Sequence, residues 1–167
     1  MLSYDMENPM SEEEFFESFG QILTEKDFDT LKNAKLVPVG EPQSNKILEK
    51  WNNWEISLRN ELVKMRASKK GQDGEKYIAD GFETDSLEIA REAFQASTPL
   101  DAELILNKAR WDYLETLEAE HYFDLAKVII YFLKLQILQR KLLINKEKGK
   151  TAFSEIYTVI HDKNSAK

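Results

Sequence analysis

The sequence predicts an all-α protein, an irregular bundle of about seven helices around a long central helix over 122–147. That central segment is apolar on almost every helical face, and the shorter segments before it carry apolar residues at helical spacing. No segment alternates between polar and apolar residues over a useful length, so there is no indication of a sheet. We therefore expect 1–167 to form a single helical domain, with an extended segment at 1–10 and a polar tail at 163–167.

The first two helices are predicted from their capping residues. Ser11 begins a helix because Glu14 follows three residues later, which is the pattern of a capping box, and Gly20 ends it. Thr24 begins a second helix in the same manner. Proline and glycine between residues 38 and 42 then indicate a linker.

A third helix is predicted over 44–68, where apolar residues repeat every three or four positions. The repeat comprises Ile47, Trp51, Trp54, Leu58, Leu62 and Met65. This seam favours core packing, although two tryptophans on one seam could instead bind another protein. A glycine-containing turn at 69–74 and a helix capped by Thr84 or Asp85 follow.

The long helices come next, and the connection between them is short. Thr98 and Pro99 begin a helix that runs to about Glu120, and the central helix follows almost immediately, so the two should be antiparallel neighbours. Within the central helix we expect a buried face and one narrow wetted stripe. The buried positions are Ile130, Leu133 and Ile137, and the stripe is Lys127, Lys134 and Lys141. A last amphipathic helix is predicted over 151–162.

Charge is distributed unevenly along the chain. The first thirty residues are strongly acidic, whereas six basic residues lie close together near the C-terminal end of the central helix: Lys134, Arg140, Lys141, Lys146, Lys148 and Lys150. These faces either attract each other within the molecule or form a docking surface for a charged protein partner. The net charge of −7 argues against a nucleic-acid binder. Without a signal peptide or a segment that could insert into a membrane, the expected location is the cytoplasm.

The sequence offers few groups for catalysis. Glu118 and His121 form a Glu-x-x-His unit of the kind that di-iron helical bundles use, but those bundles need a second unit on another helix and His161 has no carboxylate three residues before it. We therefore expect no catalytic site, no metal and no cofactor. A small helical enzyme or metal-binding protein that uses Glu118 and His121 is the alternative.

Four stretches carry a resemblance to a known group of proteins: LSYD, SEEEFFESF, LDAELILNKARWDYLETLEAEHYFD and YFLKLQILQRKLLINKEKGKTAF. They resemble an uncharacterised bacterial family whose members are encoded beside subunits of V/A-type ATP synthases, and which is distantly similar to the helical central-stalk connector subunit. The resemblance implies a non-enzymatic accessory or assembly protein. Its partner would be a soluble or stalk subunit of that ATPase, and it would lie at the periphery of the inner membrane through this contact.

Overall fold

A computed structural model describes residues 2–38, 44–79 and 86–144. These residues form six α-helices and no strand, which confirms the all-α class and most of the expected bundle. The helices are α1 Glu12–Gly20, α2 Glu25–Lys32, α3 Lys46–Lys69, α4 Leu87–Gln95, α5 Pro99–Glu118 and α6 Leu125–Ile144, with a 3-10 turn at Gly74–Tyr77. The helix expected over 151–162 and the tail at 163–167 lie outside the described residues.

Side-chain caps determine where the early helices begin. Ser11 Oγ accepts the Glu14 N–H at 3.1 Å, and the Glu14 carboxylate accepts the Ser11 N–H at 2.8 Å, which is the expected capping box. The third helix begins at Lys46 rather than at 44, because Asn45 Oδ1 accepts the N–H of Ile47 at 2.9 Å.

The central helix is shorter at its start than the sequence suggested. It begins at Leu125, so the predicted start at Tyr122 is wrong. The physical reason is a cap: the Asp124 carboxylate accepts the Lys127 N–H at 3.0 Å and satisfies one of the backbone donors that a helix start leaves open. Tyr122 and Phe123 therefore precede the helix. Residues 145–147 lie outside the described part of the chain.

The core forms around α6. Ile130, Leu133 and Ile137 are fully buried, as predicted. Phe15 of α1 is fully buried against the same helix, where its ring stacks on Phe132 with a centroid distance of 4.9 Å. Buried aromatic area of this kind fixes α1 along α6.

The long helices α5 and α6 are antiparallel, as predicted. Glu118 near the end of α5 contacts Lys127 near the start of α6, and Glu103 near the start of α5 contacts Arg140 near the end of α6. The seam of α3 lies in the core, as predicted. Its buried residues are Ile47, Trp51, Trp54, Leu58 and Leu62, with Met65 partly buried.

Candidate protein-interaction surface

Lys134 was expected on the wetted stripe, and that prediction is wrong. Only 5% of Lys134 is exposed. Its ammonium group bonds to the Glu118 carboxylate, lies 3.8 Å from a Glu115 carboxylate oxygen and sits 4.9 Å from the centroid of the Trp111 ring. A buried ammonium needs such partners, and α5 supplies all of them. Lys134 thus joins α5 to α6 through contacts within the molecule.

Arg140, the second predicted binding residue, is half-exposed and also has an internal partner. Its Nε donates to Glu103 Oε1 at 2.7 Å, and the same oxygen accepts Arg110 Nη1 at 3.3 Å. Arg140 is therefore the outer end of an ionic cluster that continues into the protein.

The inner part of that cluster is a buried ion pair. Glu55 of α3 is 0% exposed, and its two carboxylate oxygens accept Arg110 Nε at 3.0 Å and Nη2 at 2.8 Å. Burial opposes ionisation of Arg110, but its bonds to Glu55 and Glu103 outweigh burial and raise its pKa. Asn107 Oδ1 accepts a further Arg110 bond at 3.1 Å. We refer to Glu55, Glu103, Arg110 and Arg140 as the interior ionic cluster.

Lys141, the third predicted binding residue, holds the N-terminal segment. Its Nζ donates to the Tyr4 carbonyl at 2.8 Å and lies 4.0 Å from the centroid of the Tyr4 ring, with Asp5 at 3.4 Å. The Tyr4 ring also meets Trp111 edge-on at 5.5 Å. The acidic and basic parts of the sequence thus attract each other at this point. Lys146, Lys148 and Lys150 lie outside the described residues.

The residues of the alternative metal site have separate partners. The Glu118 carboxylate bonds to Lys127 at 2.7 Å and to Lys134. Partial burial raises the pKa of Glu118, but these two ammonium groups outweigh it and hold the pKa below its ordinary value. His121 Nδ1 lies 2.5 Å from Asp124 Oδ2. Within residues 2–38, 44–79 and 86–144, no three metal-ligating side chains come together.

The turn between α5 and α6 exposes two aromatic rings. Tyr122 is 73% exposed and Phe123 is fully exposed. The base of the turn is fixed on both sides, by the Glu118–Lys127 ion pair and by the Asp124 cap of α6. We call Tyr122 and Phe123 the aromatic tip. The sequence pattern does not predict the tip, because the apolar spacing places both rings in the central helix. Asp124, a favoured capping residue, is the signal that indicates the later start of α6.

A groove with a volume of about 370 Å³ lies between α3, α4 and α5. Trp54 and Tyr113 line it and stack on each other with a centroid distance of 4.5 Å, and Glu92 and Asp112 also line it. Asp112 bonds to Lys108, and only 5% of Trp54 is exposed, so the groove presents less aromatic surface than the tip. The aromatic tip is thus the stronger candidate for contact with a partner.

Residues 83–164 match the model of a family described as "Protein of unknown function (DUF2764)". The match includes α4, α5, the aromatic tip and α6, and agrees with the expected similarity to an uncharacterised family. No curated protein and no solved structure matches the chain significantly. Among the described residues, no helix has the length and apolar character needed to cross a bilayer.

Proposed function

We propose that this chain is a non-enzymatic protein-interaction component, associated with a bacterial V/A-type ATPase as an accessory or assembly subunit. The observation that carries the interaction function is the aromatic tip, two exposed rings on a fixed turn. The ATPase as partner is supported by the sequence resemblance, as is a position at the cytoplasmic side of the inner membrane.

The energy available at the tip is large enough to matter for binding. Burying both rings removes roughly 300–400 Å² from water, which at about 25 cal/mol per Å² corresponds to several kcal/mol before the costs of association. Because the ion pair and the cap hold the backbone of the turn in place, a partner would not have to order the segment that carries the rings. Aromatic side chains of this kind are the usual binding hot spots of protein interfaces.

Three of the six basic residues that the sequence predicts to bind a partner have partners within the fold. Because Lys134, Arg140 and Lys141 all have internal partners, the six together contribute less free charge than the sequence suggests. In the proposal, Lys146, Lys148 and Lys150 remain a second, electrostatic contact with the same ATPase. Such charges speed docking more than they strengthen it.

The test is capture of the ATPase by full-length protein in the organism that encodes it, with the bound subunits identified by mass spectrometry. We expect the double variant Tyr122→Ser/Phe123→Ser to lose most of the captured ATPase, because it removes the apolar contact. Tyr77→Ser is the matched control, since Tyr77 is 60% exposed on a different turn and should leave capture unchanged.

A second variant distinguishes the electrostatic contact from the apolar contact of the aromatic tip. Lys146→Glu/Lys148→Glu should reduce capture at low salt and have little effect near 0.5 M salt, where exposed charges are screened. These two lysines are preferable to Lys141 for this purpose, because Lys141→Glu would also release Tyr4. Failure of the unaltered chain to recover any ATPase subunit at low salt would contradict the assignment of the partner.

A further inference from the structure

We propose that the aromatic tip inserts into an apolar pocket of a partner protein whose rim carries lysine and arginine. This inference rests on the proposed interaction function and specifies the chemistry of the surface that receives Tyr122 and Phe123. It does not depend on the partner being an ATPase subunit.

The charge around the tip is the first part of the argument. Residues 111–126 contain five carboxylates and no lysine or arginine. Three of them have lysine partners: Asp112 pairs with Lys108, and Glu115 and Glu118 pair with lysines of α6. The other two, Glu120 and Asp124, have no lysine or arginine within ion-pair distance in the described part of the chain.

Those two carboxylates stand on either side of the rings. Glu120 is exposed two residues before Tyr122, and Asp124 follows Phe123 directly. A hydrogen bond from His121 and one from the Lys127 backbone lower the pKa of Asp124, so its charge is kept at neutral pH. Along the chain, the two rings thus lie between two carboxylates, Glu120 and the His121-bonded Asp124.

Charge complementarity then indicates which kind of surface receives the tip. A pocket ringed by basic side chains would attract Glu120 and Asp124 while its floor buries the rings, whereas an acidic rim would repel them. An anionic lipid surface is disfavoured for the same reason, since it attracts basic segments and not acidic ones. The carboxylates thus favour a basic protein pocket over a membrane.

The test places a photo-reactive p-benzoylphenylalanine at position 123 of the full-length chain and cross-links it in the native organism. We expect the cross-linked peptide to come from a protein surface where apolar residues are surrounded by lysine or arginine. Cross-links to lipid, to a second copy of this chain, or to a surface without basic residues would each overturn the inference. A basic-rimmed pocket on a protein outside the ATPase would support it and contradict the proposed ATPase association.

Charge-neutralising variants provide the second measurement. Glu120→Gln/Asp124→Asn removes both charges while Asn keeps an oxygen that can cap α6, and it should lower the cross-link yield at low salt by about fivefold. Glu7→Gln/Glu13→Gln is the matched control, because it removes two exposed carboxylates near the opposite end of α6. Equal cross-link yields from these two double variants would overturn the role of Glu120 and Asp124, even if Tyr122→Ser/Phe123→Ser still failed to capture the partner.

Discussion

The middle of α5 buries charge, whereas the turn that follows it exposes aromatic rings. Arg110 lies against a fully buried Glu55, while Tyr122 and Phe123 face water about three helical turns further along the chain. Both placements oppose the usual preference for apolar interiors and polar surfaces. The difference between them is that every charge in the interior ionic cluster has a partner within the molecule, and the aromatic tip has none among the described residues.

This contrast separates the requirements of folding from those of function. A buried ion pair is tolerated when its geometry is good and its remaining hydrogen-bonding groups are satisfied, and here it links α3, α5 and α6 at fixed positions. Exposed aromatic rings contribute little to folding, and a folded protein gains stability by covering them. The tip is therefore the region for which we propose a partner.

The largest expected effect comes from breaking the interior cluster. Arg110→Met should lower the free energy of unfolding by about 3–5 kcal/mol, because the fully buried Glu55 carboxylate then keeps only the half-exposed Arg59 as a cationic partner, at 2.7 Å. Urea denaturation measures this loss. The double variant Glu55→Leu/Arg110→Met should recover much of it, since neither buried charge remains, and a single-variant loss below about 1 kcal/mol would contradict the importance of Arg110 as the partner of Glu55.

Truncating a buried apolar side chain of α6 should lower stability nearly as much as breaking the interior ionic cluster. Leu133→Ala removes a fully buried side chain from α6 and should cost about 2–5 kcal/mol through lost transfer free energy and the cavity that remains. Leu143→Ala, on an exposed side chain of the same helix, is the control and should change stability by less than about 0.5 kcal/mol. Similar losses in both variants would contradict the orientation of α6.

How far the sequence predicts this structure depends on whether local or distant residues decide each feature. Capping residues and apolar spacing are local, and they predicted α1, α2 and α5 and the buried face of α6. The burial of Lys134 depends on Glu115 and Glu118, whose positions across α5 are not apparent from the spacing within α6. The aromatic tip was missed because periodicity cannot distinguish an apolar turn from the helix that it precedes.

The ion pairs of Glu118, at the base of the aromatic tip, should make the free energy of unfolding depend on pH. The folded-state pKa of Glu118 lies below its ordinary value of 4.5, so its ion pairs contribute fully above that value and are lost as the pH falls through the folded pKa. Glu118→Gln should therefore lower stability at pH 7 and flatten the decrease in stability below pH 4.5. The measurement is urea denaturation across pH 3–7. Glu120→Gln, two residues away and exposed, is the control and should retain the original slope.

The smallest expected effect on folding is at the aromatic tip itself. Tyr122→Ser/Phe123→Ser should change the free energy of unfolding by less than about 0.5 kcal/mol, because both rings are already in water. Thermal or urea denaturation of the same preparation used for capture measures it. A loss of about 2 kcal/mol would mean that the rings pack in the folded protein and would remove the contrast with the interior ionic cluster.

The central claim, that the tip is exposed in the free chain and covered by a partner, can be measured at one position. The sequence contains no cysteine, so Ala119→Cys introduces a single thiol at an exposed position of the same turn and leaves both rings in place. We expect rapid alkylation in the free protein and strong protection when the purified V/A-type ATPase is added, with Tyr77→Cys reacting rapidly in both states. Slow reaction at position 119 in the free chain, or the same rate with and without the ATPase, would contradict the account.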